Sequence, residues 1–189
     1  MPDSRATLRR LAFIAVVAVA SGVFWLATWQ VAQAAFSFAQ TEGGITLIYI
    51  PAGVRLVILL IAGVWSALGI ALVFPVVLLQ VFPGISWQEI AVYSIIAGFV
   101  PWATVDAFCR IAGITRDLGS LRRIHLPLLA FVVSVTGALA YTAALTAFGR
   151  FQASSFLQHA TAMTAGDFVG CFAVILLVRL VVAIRKKGG

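Results

Sequence analysis

The sequence predicts an all-α fold: a polytopic membrane helix bundle of about six transmembrane helices, forming one domain over residues 1–189. Three observations carry this. Hydrophobic residues make up 62% of the chain and charged residues 10%, against about 45–50% and about 25% in soluble domains. A water-soluble fold of this composition would lack polar side chains to cover its surface. The apolar residues come in runs long enough, singly or as a joined pair, for helices to cross a hydrocarbon core of about 30 Å. The basic residues cluster beside alternate ends of those runs, as in positively charged cytoplasmic loops.

The first span is expected near 11–29, after a polar start that carries Arg5, Arg9 and Arg10. Ala32-Gln33-Ala34 resembles a small-residue cleavage site. Against cleavage stand the length of the apolar run and Trp25 and Trp29, which read as interfacial anchors. Gln30 to Gly44 has no Lys or Arg and reads as an outside loop, closed by Gly43-Gly44. The run from Ile45 to Phe82 is too long for one span. A turn at Gly63-Val64-Trp65-Ser66 divides it into spans near 45–63 and 65–82.

Phe82-Pro83-Gly84 ends that hairpin. Ser86 to Glu89 then forms the S-x-x-E capping box that opens a helix. The fourth span lies near 87–109, with Pro101 as a kink whose freed carbonyl needs a neighbour to re-satisfy it. Arg110, Arg116, Arg122 and Arg123 stand against Asp117 alone in the following loop. The fifth span is expected near 126–148. Ser134, Ala138, Thr142 and Thr146 recur along it every four residues, a stripe suited to close helix packing in lipid. Gly149 to Ala165 carries only Arg150 among basic residues and reads as an ordered outside loop, with a short interfacial helix, though without the usual basic face, as the alternative. The sixth span is expected near 166–184, followed by Arg185-Lys186-Lys187. Basic groups then fall on one side, Arg150 alone on the other. The chain is expected in a bacterial inner (plasma) membrane, with both termini cytoplasmic.

The net charge of +7 therefore reflects orientation in a bilayer, and nucleic acid is not an expected partner. Cys109 and Cys171 fall toward opposite membrane faces, so no disulfide is expected. No metal-ligand spacing, nucleophile–base pair or phosphate-binding loop is present. Neither an enzyme nor a cofactor nor a metal is expected. His125 and His159 lie in loops on opposite sides.

Four charges fall within or at the edge of spans: Arg55, Asp106, Asp167 and Arg179. A charge at bilayer depth costs about 2.5–3.5 kcal/mol on insertion scales, so pairing is the expected relief. Span positions match Arg55 with Asp167 in the outer half, and Asp106 with Arg179 in the inner half. Asp106 also has Arg110 one turn on, and Arg179 can snorkel to the surface. Arg55 with Asp167 has two readings: an outward-facing polar pocket for a ligand, or a structural ion pair that fixes helix order.

Pro51-Ala52-Gly53, an apolar run to Gly63, then Trp65 and Gly69 resemble the P-A-G segment of the MASE1 family. Gly166-Asp167-Phe168-Val169-Gly170 resembles that family's late G-D-x-x-G segment. MASE1 domains are bacterial integral-membrane sensory modules coupled to a cytoplasmic output domain. The resemblance implies a sensory or small-ligand-binding membrane domain acting through a separate signalling partner, with Pro51, Gly53, Gly166, Asp167 and Gly170 as signature positions. An architectural likeness points elsewhere. About six helices in this length is similar to the substrate-binding subunits of energy-coupling-factor vitamin transporters, and Ala18 and Gly22 are the nearest candidates for docking a transporter subunit. A third reading is a membrane scaffold working through the Ser134–Thr146 stripe.

Overall fold

A computed structural model describes residues 4–36, 48–115, 120 and 124–187. The expectations placed on Glu42 and Gly43-Gly44, and on Arg116, Asp117, Arg122 and Arg123, lie outside the described residues. The elements are α1 (Ser4–Phe36), α2 (Ile50–Ala62), α3 (Val64–Val81), α4 (Trp87–Ile111), α5 (His125–Ala147) and α6 (Phe156–Lys187), with a short 3-10 turn at Ala153–Ser155 before α6. Five of the six helices are long and apolar enough to cross a membrane; α2 is shorter. The chain is a helical membrane bundle.

Local sequence explains the boundaries. Gly63 alone separates α2 from α3, at φ 59°, a backbone conformation that L side chains resist. Pro51 stands in the first turn of α2, where its missing N–H has no helical partner to lose. Ser86 and Glu89 form the full reciprocal capping box at the start of α4.

The helices pack as a ring in the order α1, α3, α4, α5, α6, α2, which closes on α1. Gly69 of α3 meets Ala18 and Gly22 of α1, and Gln80 bonds Gln30 further along both helices. These two helices therefore run parallel. Gly98 of α4 packs on Ala67 and Ala71, while Tyr93 meets Phe82, so α4 runs back. α5 returns, with Thr136 on Thr104 and Phe148 on Tyr93. α6 descends again, with Met163 at Thr142 and Phe168 at Phe131. The end at which α1 finishes is called upper. α1 begins, and α6 ends, at the lower end.

α2 explains why this ring has an inside. The Tyr49 N–H donates to the carbonyl of Gly166 at 3.1 Å, ten residues into a helix that starts at Phe156. At 1.5 Å per residue, that is about 15 Å below the start of α6. With 13 residues, α2 is about 20 Å long and fills the lower half. There Ala52, Leu56 and Leu59 pack with Ala67, Val105, Leu129, Val133, Cys171 and Ile175. A second cluster holds the upper half, built on Trp25, Trp29, Ile70, Phe74, Tyr93 and Leu145.

Several expectations change. Trp25 and Trp29 are core residues, 0% and 5% exposed, because α1 extends a further turn and more beyond them. Ala18 and Gly22 face Gly69 inside the bundle and present no docking surface. The segment expected as an outside loop is largely the first turns of α6, which starts at Phe156 rather than near 166. That earlier start moves the middle of the helix toward its N-terminus by residue number. Cys171 therefore sits low in the bundle, in the same cluster as Cys109, and both are free.

Candidate functional site

Arg55 is 7% exposed, on the face of α2 that the ring encloses. Its Nη2 donates to Asp167 Oδ2 at 3.2 Å. Its Nη1 donates to the Ala97 carbonyl at 3.4 Å, a long contact. That carbonyl has a reason to need a donor. Its helical partner four residues on is Pro101, which lies inside α4 and has no N–H to give. The neighbour required by the Pro101 kink is thus Arg55, and one guanidinium ties α2 to α4 and α6. The depth differs from expectation. Asp167 falls at the middle of the apolar stretch Ala153–Val181, so the pair lies at mid-depth rather than in the outer half of a span starting at 166.

The backbone around the pair is drawn tight by the two segments singled out in the sequence. A Cβ on Gly170 would collide with the Tyr49 carbonyl, and one on Gly53 would lie 2.5 Å from the Gly170 carbonyl oxygen. Pro51–Gly53 and Gly166–Gly170 therefore cross in contact, as small residues allow in lipid. Trp25 adds a clamp from α1, its Nε1–H donating to the Pro51 carbonyl at 3.1 Å.

Above this crossing no sixth helix stands among the described residues, and a cavity of about 140 Å³ opens. Arg55, Asp167, Tyr49 and Ala97 line its polar part. Phe74, Tyr141, Trp29 and Leu145 form apolar and aromatic wall, and Gly137 and Ala138 leave room on the α5 side. Phe74 and Tyr141 meet edge to face at 6.1 Å. The upper rim includes Gln33, Val81, Phe82 and Phe151. Arg55 Nε is buried and has no hydrogen-bond partner among the described residues. Among the described residues Asp167 accepts its hydrogen bond on Oδ2, which leaves Oδ1 able to accept another.

A second charge cluster stands over the rim. Arg150 donates from Nε to Glu89 Oε1 at 2.6 Å and from Nη2 to Oε2 at 3.0 Å. Glu89 also accepts from the Ser86 N–H and hydroxyl. The Arg150 guanidinium lies 5.7 Å from the centre of the Phe82 ring, and Phe151 beside it stacks on His159 at 4.0 Å. The ion pair thus joins the α5–α6 connection to the start of α4, across two aromatic rim residues. Sequence reading treated Glu89 only as a cap. The signal available was charge balance: Arg150 is the lone basic residue of its side, and Glu89 is one of few acids there.

The expected Asp106–Arg179 pair does not form. Asp106 bonds Arg110 at 2.7 Å, one turn along α4, and Arg179 is exposed on the lower part of α6. The cause is again the register of α6, together with the ring order, which separates α4 from α6 by α5. Ser134, Ala138 and Thr142 are buried, so that stripe packs inside the bundle. Among the described residues no cluster of three His, Cys, Asp or Glu side chains occurs. Compared with protein-family models, curated proteins and solved structures, the chain matches none.

Proposed function

We propose that this chain is a membrane-embedded domain that binds a small molecule in the cavity above Arg55 and Asp167. In this reading it lies in a bacterial inner membrane with both termini cytoplasmic, and the rim at Phe82 and Phe151 faces outward. The bound state passes to a separate signalling partner, as the likeness to MASE1 sensory domains implies. One observation carries the reading: a nine-tenths-buried arginine lines a cavity with a buried N–H that has no hydrogen-bond partner among the described residues. A purely structural ion pair has no need of an adjoining cavity, and an unmet buried donor costs about 1–3 kcal/mol. A ligand that accepts from it removes that cost.

The alternatives lose particular supports. A vitamin-transporter subunit would lack its nearest docking candidates, since Ala18 and Gly22 pack against Gly69. A scaffold acting through the Ser134–Thr146 stripe would lack most of its free surface, since Ser134, Ala138 and Thr142 are buried and Thr146 is half-buried. The test is a thermal-shift screen of the purified protein in detergent, using compounds of roughly six to ten non-hydrogen atoms, near the benzene size that fills a cavity of about 150 Å³. Compounds that raise the melting temperature of the wild type, and not of the Arg55→Leu/Asp167→Leu double variant, support binding here. If no compound separates the two proteins, the proposal fails.

A further inference from the structure

We infer that the ligand is a small neutral planar molecule with a hydrogen-bond acceptor and donor side by side, the edge of a carboxamide or lactam. This rests on the reading of the cavity as a binding site and specifies its chemistry.

Charge comes first. Arg55 and Asp167 already neutralise each other at 3.2 Å. A carboxylate ligand would compete with Asp167 for the guanidinium and add a second negative group beside it. A cationic ligand would do the converse against Arg55. In a buried site either leaves one uncompensated charge, which is costly. A neutral ligand leaves the balance intact. Hydrogen bonding then selects the edge. Arg55 Nε–H has no partner among the described residues and needs an acceptor. Asp167 Oδ1 can accept from a donor, since among the described residues the carboxylate's hydrogen bond falls on Oδ2. The unmet N–H and the accepting Oδ1 belong to side chains already in contact, so a ligand engages both only if its acceptor and donor are neighbours.

Size and walls settle the rest. About 140 Å³ is close to the space that benzene fills in an engineered cavity of about 150 Å³. The aromatic wall at Phe74 and Tyr141 suits a flat body. A zwitterionic amino acid also has zero net charge. However, its ammonium and carboxylate need more donors and acceptors than the Arg55–Asp167 floor holds, and the aromatic and aliphatic wall supplies few of them.

The test uses wild-type protein in detergent and five probes of similar size: benzamide, benzoate, benzamidine, ethylbenzene and L-proline, with dissociation constants from isothermal titration. Benzamide is expected to bind at least about tenfold tighter than each of the others, because a site built to hydrogen-bond discriminates against analogues that leave its groups unpaired. Ala138→Leu, which adds side-chain volume to the cavity wall and keeps both ion-pair side chains, is expected to abolish benzamide binding while the protein still melts cooperatively. Benzoate, benzamidine, ethylbenzene or proline binding as tightly as benzamide overturns the ligand class while leaving the cavity as a binding site. Benzamide that binds Ala138→Leu as well as wild type is bound elsewhere, and overturns the inference. Failure of benzamide to bind at millimolar concentration overturns the class; the binding reading falls only if the thermal-shift screen also finds no compound that separates wild type from the double variant.

Discussion

Removing one member of the Arg55–Asp167 pair should destabilise the bundle more than removing both. In Asp167→Leu the guanidinium stays 7% exposed and keeps only the Ala97 carbonyl, at 3.4 Å. Stranding one charge of a buried pair costs about 3–5 kcal/mol. Arg55→Leu strands the Asp167 carboxylate for the same cost. It also strips the Ala97 carbonyl of the donor that Pro101 cannot supply, for about 1–3 kcal/mol more. The double variant loses both charges and leaves only that carbonyl unmet, so it should recover to within about 1–3 kcal/mol of wild type. Adding Pro101→Ala to the double variant restores a backbone N–H to Ala97 and should stabilise it further. The expected order of stability is wild type, triple, double, Asp167→Leu, Arg55→Leu. Equilibrium unfolding in mixed micelles of dodecylmaltoside and SDS measures it. A double variant as unstable as the two single losses summed would refute the coupling of the pair. A triple variant no more stable than the double would refute the role assigned to the Ala97 carbonyl.

Other expectations are local. Gly170→Ala places a methyl group against the Tyr49 carbonyl, an obstacle made of backbone, and should cost about 1–3 kcal/mol of overpacking in the same unfolding assay; a neutral result would contradict the close crossing of α2 and α6. Trp25→Phe keeps the ring packing but deletes the donor to Pro51, and should lose about 0.5–1.5 kcal/mol, with an unchanged melt counting against that bond. Ser86→Ala removes the cap at the start of α4 and should cost about 0.5–2 kcal/mol. Glu89→Gln weakens the bidentate link to Arg150. It should speed the reaction of a soluble maleimide with a cysteine placed at Leu145 in the cavity, against the same cysteine with Glu89 intact; equal rates would show that the ion pair does not guard the rim.

Much of this bundle was legible in the sequence because its signals are local. The glycine turn at Gly63 and the Ser86–Glu89 capping box each need only a few neighbouring residues, and both stand where expected. Arg55 and Asp167 were also legible as partners, since two opposite charges in apolar spans have few other ways to be satisfied. Depth was harder. α6 begins at Phe156 across a stretch of Gln, Ser, Thr and His159 that reads as loop by polarity. Only packing against α5 makes it helix, and that shift displaced Asp167, Cys171 and Arg179 together. The short α2 was illegible for the same kind of reason. Apolar length alone gave 45–63 as a span, whereas the Tyr49–Gly166 bond starts the helix at mid-depth. The cavity lies above the start of α2 at Ile50, and no motif marks it. Nor does any motif mark Arg150 as the partner of Glu89, 61 positions away.

The Arg55 Nε–H is the atom on which the ligand reading rests, and it can be observed directly. Protein labelled with ¹⁵N-arginine, in detergent micelles, gives side-chain Nε–H resonances, and the one lost in Arg55→Lys is Arg55. Addition of benzamide should move that resonance, in a saturable manner and with a larger displacement than any other arginine shows. An Arg55 resonance that stays in place while benzamide is bound, or through the whole titration, would contradict recognition of a carboxamide edge by Arg55 in this cavity.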